Sequence, residues 1–271
     1  MKYIDIHAHL NFSDFDKDRE KVIERTIDNE MGVINIGTSL ETSTEVVLLA
    51  DEYKDFYAAV GIHPTESQEV DNIENVINEL KVLAENSKVV CIGECGLDYF
   101  HIEKNVKEYK EQQKVVFEKQ IEMALELDLP LMIHCRDAYG DLIEILKKYK
   151  HNTEDENEDF FGKNLRGNVH FFAGDVNDAK ALLSLGFTIS FTGVITFAPQ
   201  YRELVEFVPI EKMHAETDSP FVAPNPNRGK RNEPLNTLEV IKKIAEIKKL
   251  DFNEVSKQFL ENSKKLFGID F

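Results

Sequence analysis

The chain has 271 residues, of which 42% are hydrophobic and 30% are charged, a balance that excludes an extensively disordered chain and supplies enough apolar material for a large core. The 50 acidic residues outnumber the 32 basic ones, which gives a formal net charge of −18. This charge argues against a protein that coats nucleic acid or an anionic membrane through a broad basic surface, but it leaves room for a site that binds one phosphodiester locally.

The three cysteines, Cys91, Cys95 and Cys135, are odd in number, lie in apolar segments and form no Cys-x-x-Cys spacing. This pattern argues against a disulfide framework or a zinc knuckle and favours a reducing compartment. The N-terminus lacks a basic flank followed by a long apolar stretch, and no segment approaches 18 uninterrupted apolar residues. We therefore expect a cytoplasmic protein, with no membrane interaction and no obligate protein partner.

Eight apolar runs of strand length succeed one another along the chain, at residues 2–6, 33–37, 56–61, 89–93, 130–134, 167–171, 187–192 and 213–216. Between most of them lie longer, charged segments with helical spacing. The spacing is clearest in the segment 73–84, where one face carries Ile73, Val76, Ile77, Leu80, Leu83 and Ala84. Further helices are predicted around residues 117–125 and 238–245 from the same periodicity.

Strands that alternate with helices imply parallel pairing through crossover connections, and runs rich in Val, Ile and Leu suit strands buried on both faces. Eight such units predict a closed (β/α)₈ TIM barrel that occupies residues 1–271 as a single domain. The alternative is an open, doubly wound sheet. The acidic segment 151–159 is predicted to be a solvated loop without chemistry.

Residues that can bind a metal ion stand at the ends of these runs. His7 and His9 are two apart on an extended chain, so their side chains point to the same side and can reach one ion. The other candidate ligands, at the ends of the fourth, fifth, sixth and eighth runs, are Glu94, His134, His170 and Asp218. Each taken alone has an ordinary explanation as a buried or exposed polar residue, but the carboxyl ends of barrel strands meet at one mouth, where six ligands can form one centre.

Seven longer motifs follow one another in chain order. They are DIHAHL at residues 5–10, GIHP at 61–64, IGECGLDY at 92–99, IHCRDA at 133–138, HFFAG at 170–174, ETDSP at 216–220 and RGKRNEP at 228–234. Together they resemble the TatD family of metal-dependent deoxyribonucleases, within the amidohydrolase-like barrel superfamily, nearly from end to end. Two positions differ from the usual family pattern: Thr65 stands where a histidine is frequent, and Phe171 where a cysteine is usual.

This resemblance implies a hydrolase that cleaves DNA phosphodiesters, commonly from the 3′ end of single strands, with two divalent cations as cofactors. The residues that would hold the first ion are His7, His9, Glu94 and Asp218. The second ion would be held by Glu94, His134 and His170, so that Glu94 bridges the pair. Asp218 would also orient or deprotonate the attacking water, which makes Asp218 and Glu94 the predicted catalytic residues. Mixed histidine and carboxylate ligands suit Mg²⁺, Zn²⁺ or Mn²⁺.

Five further residues are predicted to contact the substrate: His63, Arg136, Arg228, Lys230 and Arg231. His63 and Arg136 can donate hydrogen bonds to phosphate oxygens. The basic cluster 228–231 can neutralise an approaching nucleic-acid backbone. The alternatives are a capping role for His63, an ion pair of Arg136 with Asp137 or another acid of the barrel, and an ion pair of Arg231 with Glu233 or with the neighbours of Glu94.

The sequence is also compatible with two other functions. An amidohydrolase or ester hydrolase, such as an aminoacyl-tRNA deacylase, could use the same metal centre, because fold and ligands do not choose a substrate. Many cyclic amidases carry a carboxylated lysine where this chain has Glu94, which weakens that alternative. A metal-stabilised binding protein is the other alternative, and it predicts closed coordination without a position for water.

Overall fold

The computed structural model describes residues 1–70, 72–102, 106–156, 159–160 and 162–269. Each of the eight predicted strands is present. They are β1 (Tyr3–Ala8), β2 (Met31–Ile36), β3 (Phe56–Val60), β4 (Val89–Asp98), β5 (Leu131–Arg136), β6 (Gly167–Val169), β7 (Thr188–Phe191) and β8 (Met213–Ala215).

Helices lie between the strands and after the last one. They are α1 (Arg19–Asp28), α2 (Leu40–Glu52), α3 (Ile73–Ala84), α4 (Val106–Leu127), α5 (Tyr139–Glu154), α6 (Val176–Ser184), α7 (Arg202–Phe207), α8 (Thr237–Lys248) and α9 (Phe252–Phe267). The three helices predicted from apolar periodicity correspond to α3, α4 and α8. In α3 the side chain of Asn72 accepts a hydrogen bond from the backbone N–H of Asn75, which caps the first turn.

Neighbouring strands pair in parallel and in chain order from β1 to β8. The ends of this sheet meet just beyond β8, where Ala8 forms a parallel bridge with Ser219. There the N–H of Asp218 donates to the carbonyl of His7 at 2.9 Å, and the N–H of His9 donates to the carbonyl of Ser219 at 2.8 Å. The predicted (β/α)₈ barrel is therefore confirmed, and the open doubly wound sheet is wrong.

Two strands contain a bulge. β1 carries an extra residue relative to β2 between Asp5 and Ala8. β4 carries an extra residue relative to β5 between Ile92 and Cys95. Bulges bend a strand, redirect side chains and are frequent beside active sites. Each of these two bulges encloses a predicted ligand, His7 in β1 and Glu94 in β4.

Below the level of the ligands, apolar side chains form much of the barrel interior. Ile4, Cys91 and Met132, which come from strands on different sides of the barrel, belong to one buried cluster. Leu266 and Phe267 at the end of α9 join the same cluster, so this helix packs against the apolar filling of the barrel. Close packing of this cluster beneath the ligands supports the mouth of the barrel.

Two buried glutamines on α4 hold the backbone at the ends of β3 and β4. Gln120 accepts from the N–H of Ile62 at 2.8 Å and donates to its carbonyl at 3.0 Å. Gln113 accepts from the N–H of Asp98 at 2.9 Å and donates to its carbonyl at 2.9 Å. The two side chains are seven residues apart and therefore lie on one face of the helix. They satisfy the backbone N–H and C=O groups of Ile62 and Asp98 beside the barrel mouth.

The sequence-based prediction of a loop at residues 151–159 is wrong for its first four residues, because α5 continues to Glu154. Thr153 is buried and its hydroxyl donates to the carbonyl of Lys150, which stabilises this last turn despite the acidic composition. Asn157 and Glu158 of the predicted loop lie outside the described residues.

The fourth strand was predicted to end at residue 93, but β4 extends to Asp98 because its pairing with β5 continues beyond the bulge. Among the described residues, no helix has the length and apolar character needed to cross a membrane.

We predict that Gln120→Met lowers the free energy of unfolding by about 2 kcal/mol, because the buried N–H and C=O of Ile62 lose their partners while the side-chain volume is nearly kept. Urea denaturation followed by circular dichroism measures the change. Gln200→Met, at an exposed glutamine, is the matched control and should stay within about 0.5 kcal/mol of the wild type. Equal stability of the two variants would contradict the role assigned to Gln120.

Candidate metal centre

A cavity of about 770 Å³ opens at the carboxyl ends of the barrel strands. Five of the six predicted metal ligands line it, together with two predicted substrate contacts. These residues are His9, Glu94, His134, His170, Asp218, His63 and Arg136. His7, the sixth predicted ligand, is fully buried directly beneath, with its ring stacked on that of His170 at a centroid distance of 3.9 Å.

One carboxylate oxygen of Glu94 faces the histidines of β1. Glu94 Oε2 lies 3.4 Å from Nε2 of His7 and 3.8 Å from Nε2 of His9. The two imidazole nitrogens are themselves only 3.2 Å apart, and Asp218 Oδ1 lies 3.7 Å from the first and 3.5 Å from the second. Nδ1 of His9 is 3.0 Å from the carbonyl of Ile36, an acceptor that places the proton on Nδ1 and leaves the Nε2 lone pair free for an ion.

The other oxygen of Glu94 faces a second set of histidines. Glu94 Oε1 lies 2.8 Å from Nε2 of His170, 3.0 Å from Nδ1 of His134 and 3.5 Å from Nε2 of His63. The structure thus brings together all six predicted ligands and adds His63 to the second set. Because the two oxygens of this one carboxylate face two separate donor groups, Glu94 joins these groups into one centre.

The chemistry of these donors fits cations. Burial lowers the pKa of His7 and lowers that of His63 to about 3, so both imidazoles are neutral. Burial alone would raise the pKa of Glu94, but the charge of His170 outweighs it and holds the pKa well below its usual range. Burial likewise opposes ionisation of Asp218, and the neighbouring imidazoles of His9, His7 and His170 lower its pKa nonetheless. Burial would lower the pKa of His170, but the charge of Glu94 outweighs burial and raises that pKa well above its usual value. Divalent cations bind such sets of buried carboxylates and imidazoles, and a bound cation would take over the positive charge that His170 carries beside Glu94.

The mouth contains groups of three residues whose potential ligand atoms all lie within 4.8 Å of one another. The groups found among the described residues are His7, His9 and Glu94, then His7, His170 and Glu216, then His63, Glu94 and His134. The residues present therefore fit a metal centre by distance as well as by chemistry.

Asp98 was not predicted from the sequence, yet it orients a ligand. Its carboxylate is fully buried and lies 3.1 Å from Nε2 of His134, on the side of the ring opposite Glu94. It also contacts Nδ1 of His101 at 2.8 Å and accepts from the backbone N–H of Phe100 at 3.0 Å. Burial would raise the pKa of Asp98, but the hydrogen bonds from His134 and His101 outweigh burial and lower it. Such a partner fixes the tautomer and the plane of a ligand histidine.

Asp5 and Glu216 are two further buried acids behind the ligands. Asp5 accepts from the N–H of His7 at 3.2 Å and from the N–H and hydroxyl of Thr217 at 2.9 and 2.5 Å. Glu216 accepts from the N–H of Phe171 at 2.6 Å and from a serine hydroxyl at 2.8 Å. Each acid stands two residues before a ligand in the sequence, and this spacing is the signal that could have identified them.

The predicted substrate contacts fall into two groups. His63 and Arg136 line the cavity, whereas Arg228, Lys230 and Arg231 are absent from the cavity lining as far as the described residues go. Arg228 and Lys230 are exposed, and the guanidinium of Arg228 covers the ring of Phe197 at 3.5 Å.

Arg231 forms the ion pair that was the alternative to a substrate contact. Its guanidinium contacts both oxygens of Asp18, at 2.6 and 2.9 Å, and one oxygen of Glu233 at 3.0 Å. The same group lies 4.5 Å above the ring of Phe15. Arg231 therefore links the segment after β8 to the start of α1, and its contact with substrate stays a prediction.

A buried carboxylate flanked by histidines from several strands, at the carboxyl end of a (β/α)₈ barrel, is the arrangement of a metal-dependent hydrolase. The chain matches the family described as TatD related DNase over residues 4–268 and belongs to that family.

The similarity to known proteins extends over nearly the whole chain. It is 39% identical to the "Uncharacterized metal-dependent hydrolase YabD" of Bacillus subtilis, over 98% of this chain and 99% of that protein. It is 30% identical to the "3'-5' ssDNA/RNA exonuclease TatD" of Pantoea ananatis, over 98% of this chain and 99% of that protein. The solved structure of the TatD homologue YjjV from Escherichia coli K12 superimposes with a TM-score of 0.86 at 27% identity, covering 99% of both chains.

We predict that Mn²⁺ added to chelator-treated protein raises the melting temperature by about 5–10 °C at 100-fold excess over its dissociation constant, because the ion binds only the folded centre. Glu94→Gln should lose most of this shift, since it removes the charge that faces both histidine sets. Glu85→Gln, at an exposed acid, should keep it in full. An undiminished shift in Glu94→Gln, measured by differential scanning calorimetry, would show that the ion binds elsewhere.

We also predict that Asp98→Asn weakens Mn²⁺ binding about 10–100-fold, because the amide no longer supplies the charge that holds His134 in its ligand orientation. Isothermal titration calorimetry gives the dissociation constants. Asp28→Asn, at an exposed position on α1, serves as control and should bind as the wild type does. An unchanged dissociation constant in Asp98→Asn would contradict the role of Asp98 in orienting His134.

Proposed function

We propose that this protein is a deoxyribonuclease that hydrolyses phosphodiesters of single-stranded DNA from the 3′ end, with two divalent cations, Mg²⁺, Zn²⁺ or Mn²⁺, as cofactors. The observation that supports it most is the position of Glu94, whose two oxygens face separate donor groups. Two-ion centres with a bridging carboxylate are typical of enzymes that cleave phosphodiesters.

In this proposal the residues that hold the first ion are His7, His9, Glu94 and Asp218. Glu94, His134 and His170 hold the second. Cations bound there would supply Lewis-acid activation of water and neutralise the charge of the phosphodiester. The protein's part is to hold these ligands rigidly, which the bulges in β1 and β4 and the buried acids behind the histidines accomplish.

Asp218 is the group that would orient the attacking water and accept its proton. Its carboxylate lines the cavity, and its lowered pKa keeps it ionised at neutral pH, as a proton acceptor must be. Its backbone lies in the left-handed region at φ 55°, held there by the hydrogen bond from its N–H to the carbonyl of His7. Aspartate tolerates this conformation better than most residues do, and the tie to β1 aims the side chain at the histidines.

His63 is suited to donate a hydrogen bond to the phosphate. Its Nδ1 accepts from the N–H of Thr65 at 3.2 Å and lies 2.6 Å from the Thr65 hydroxyl. An Nδ1 that accepts leaves the proton of the neutral ring on Nε2, which lies 3.5 Å from Oε1 of Glu94 at the cavity lining. Thr65, one of the two departures from the family pattern, thus orients His63 as a donor. Arg136, exposed at the same wall, supplies a second donor with fixed charge.

Two observations support DNA as the substrate: the name of a relative and the size of the cavity. A relative 30% identical to this chain carries the name of a 3'-5' exonuclease on single-stranded DNA and RNA. The cavity is open to solvent and wide enough at about 770 Å³ for one nucleotide with its neighbouring phosphate.

We further propose that the chain acts as a single barrel domain in the reducing environment of the cytoplasm. Cys91, Cys95 and Cys135 are free and buried, as thiols are in a protein that does not depend on disulfides.

The decisive experiment is hydrolysis of an end-labelled single-stranded oligonucleotide in the presence of Mn²⁺, Mg²⁺ or Zn²⁺, with and without chelator. We expect stepwise shortening from the 3′ end, and a loss of about 10²–10³-fold or more in kcat for Glu94→Gln and His134→Ala, since both remove a group that holds charge at the reacting centre. Glu85→Gln should retain the wild-type rate. Cleavage by Glu94→Gln at the wild-type rate, or hydrolysis of aminoacyl-tRNA or amides without cleavage of DNA, would contradict the proposal.

A further inference from the structure

One wall of the cavity is aromatic. The ring of Phe12 stacks on the ring of His9, with centroids 4.6 Å apart and an interplanar angle of 19°. Phe221 stands edge-on to both, with centroid distances of 6.2 Å to Phe12 and 6.3 Å to His9. Although it lines the cavity, the side chain of Phe221 is 48% exposed. A large aromatic ring left half in water at the edge of a catalytic cavity is a candidate contact surface for a ligand.

The facing wall is polar. Phe12 and Phe221 follow β1 and β8, whereas His63, His101 and Arg136 follow or end β3, β4 and β5. In a closed barrel whose strands are ordered from β1 to β8, the pair β4 and β5 lies across the mouth from the pair β8 and β1. The metal ligands lie between the two walls.

Phe221 is held at a set distance from the reacting centre. Its backbone N–H donates to the carbonyl of Asp218 at 2.9 Å. The next residue, Val222, is a β-branched residue in the left-handed region at φ 48°, a conformation that persists only where the surrounding structure enforces it. The backbone that carries the ring is therefore fixed beside Asp218, and the ring does not sit at the tip of a loose loop.

A ligand that satisfies both walls has an anionic part and a flat apolar part joined by a short link. A nucleotide has this form, with its phosphate directed to the ions, His63 and Arg136, and its base directed to the aromatic wall. We propose that Phe221, packed on Phe12, is the stacking platform for the nucleobase next to the scissile phosphodiester. This inference rests on the proposed function, and it names the side chain by which the proposed nuclease would select its substrate.

The chemistry of stacking explains the class of substrate. Every base offers a π face, so a phenylalanine platform accepts all four bases without reading their edges. A base within a duplex is already stacked and paired on both sides, whereas a base at the end of a single strand is free to move onto the ring. The platform thus favours unpaired 3′ ends of any sequence.

The test compares two single-stranded oligonucleotides in Mn²⁺, one with an ordinary 3′-terminal nucleotide and one whose terminal residue is an abasic tetrahydrofuran analogue. Phe221→Ala should lower kcat/KM about 10-fold on the ordinary substrate, chiefly through KM, and leave the abasic substrate unchanged. Phe221→Tyr should restore the wild-type value. Phe207→Ala removes a ring of similar exposure, 40%, from α7 outside the cavity lining and should change neither substrate.

A second readout does not depend on turnover. A 2-aminopurine at the 3′ end loses fluorescence when it stacks, so wild-type protein in chelator should quench it on binding and Phe221→Ala should not. An equal loss of activity by Phe221→Ala on both oligonucleotides, or quenching that survives the substitution, overturns the platform while the nuclease proposal stands. Failure of the wild type to cleave either oligonucleotide overturns both.

Discussion

The architecture of this protein depends on the seam at which the barrel closes. β8 has only three residues, and the ring is completed beyond it, where the backbone groups of Asp218 and Ser219 bond to those of His7 and His9. Asp5 strengthens the seam through the N–H and hydroxyl of Thr217. Because the residues that close the barrel are also the predicted ligands of the first ion, the site exists only when the fold is complete. A barrel that closed one residue out of register would turn Asp218 away from the histidines.

The second consequence of this arrangement is electrostatic. Glu94 and Asp98 are almost completely removed from water, and Asp218 is largely so. Buried carboxylates destabilise a fold unless cations or hydrogen bonds compensate them. Part of the compensation comes from imidazoles, as in the 2.8 Å contact between Glu94 and His170, and the rest is available from bound ions. The mouth of the barrel is therefore the region whose stability is most closely coupled to metal.

The sequence predicts the eight strands because parallel strands buried on both faces are continuous apolar runs, and it predicts the ligands because their residue types stand at the ends of those runs. It does not predict that Glu94 lies inside a strand, because the bulge that redirects it arises from the register between β4 and β5. It also misses Asp98, whose importance comes from a hydrogen bond to His134, 36 residues away in the chain. The extension of α5 over residues 151–154 was missed for a similar reason, since burial of Thr153 outweighs the local acidic composition.

The net charge of −18 restricts how a polyanionic substrate can bind, because a protein with this charge repels a polyanion at long range. Recognition has to be local, within about a Debye length of 8–10 Å at physiological salt, where nearby groups dominate over the total charge. In the proposed function the mouth would meet this condition in two ways: Arg136 and bound ions would act on the phosphate, while the ring of Phe221 would act on the base without any charge. Binding that combines a small number of phosphate contacts with stacking depends less steeply on salt than binding through a basic groove. On this proposal an acidic barrel would hold the end of a strand without holding the strand along its length, as the proposed removal of one nucleotide at a time requires.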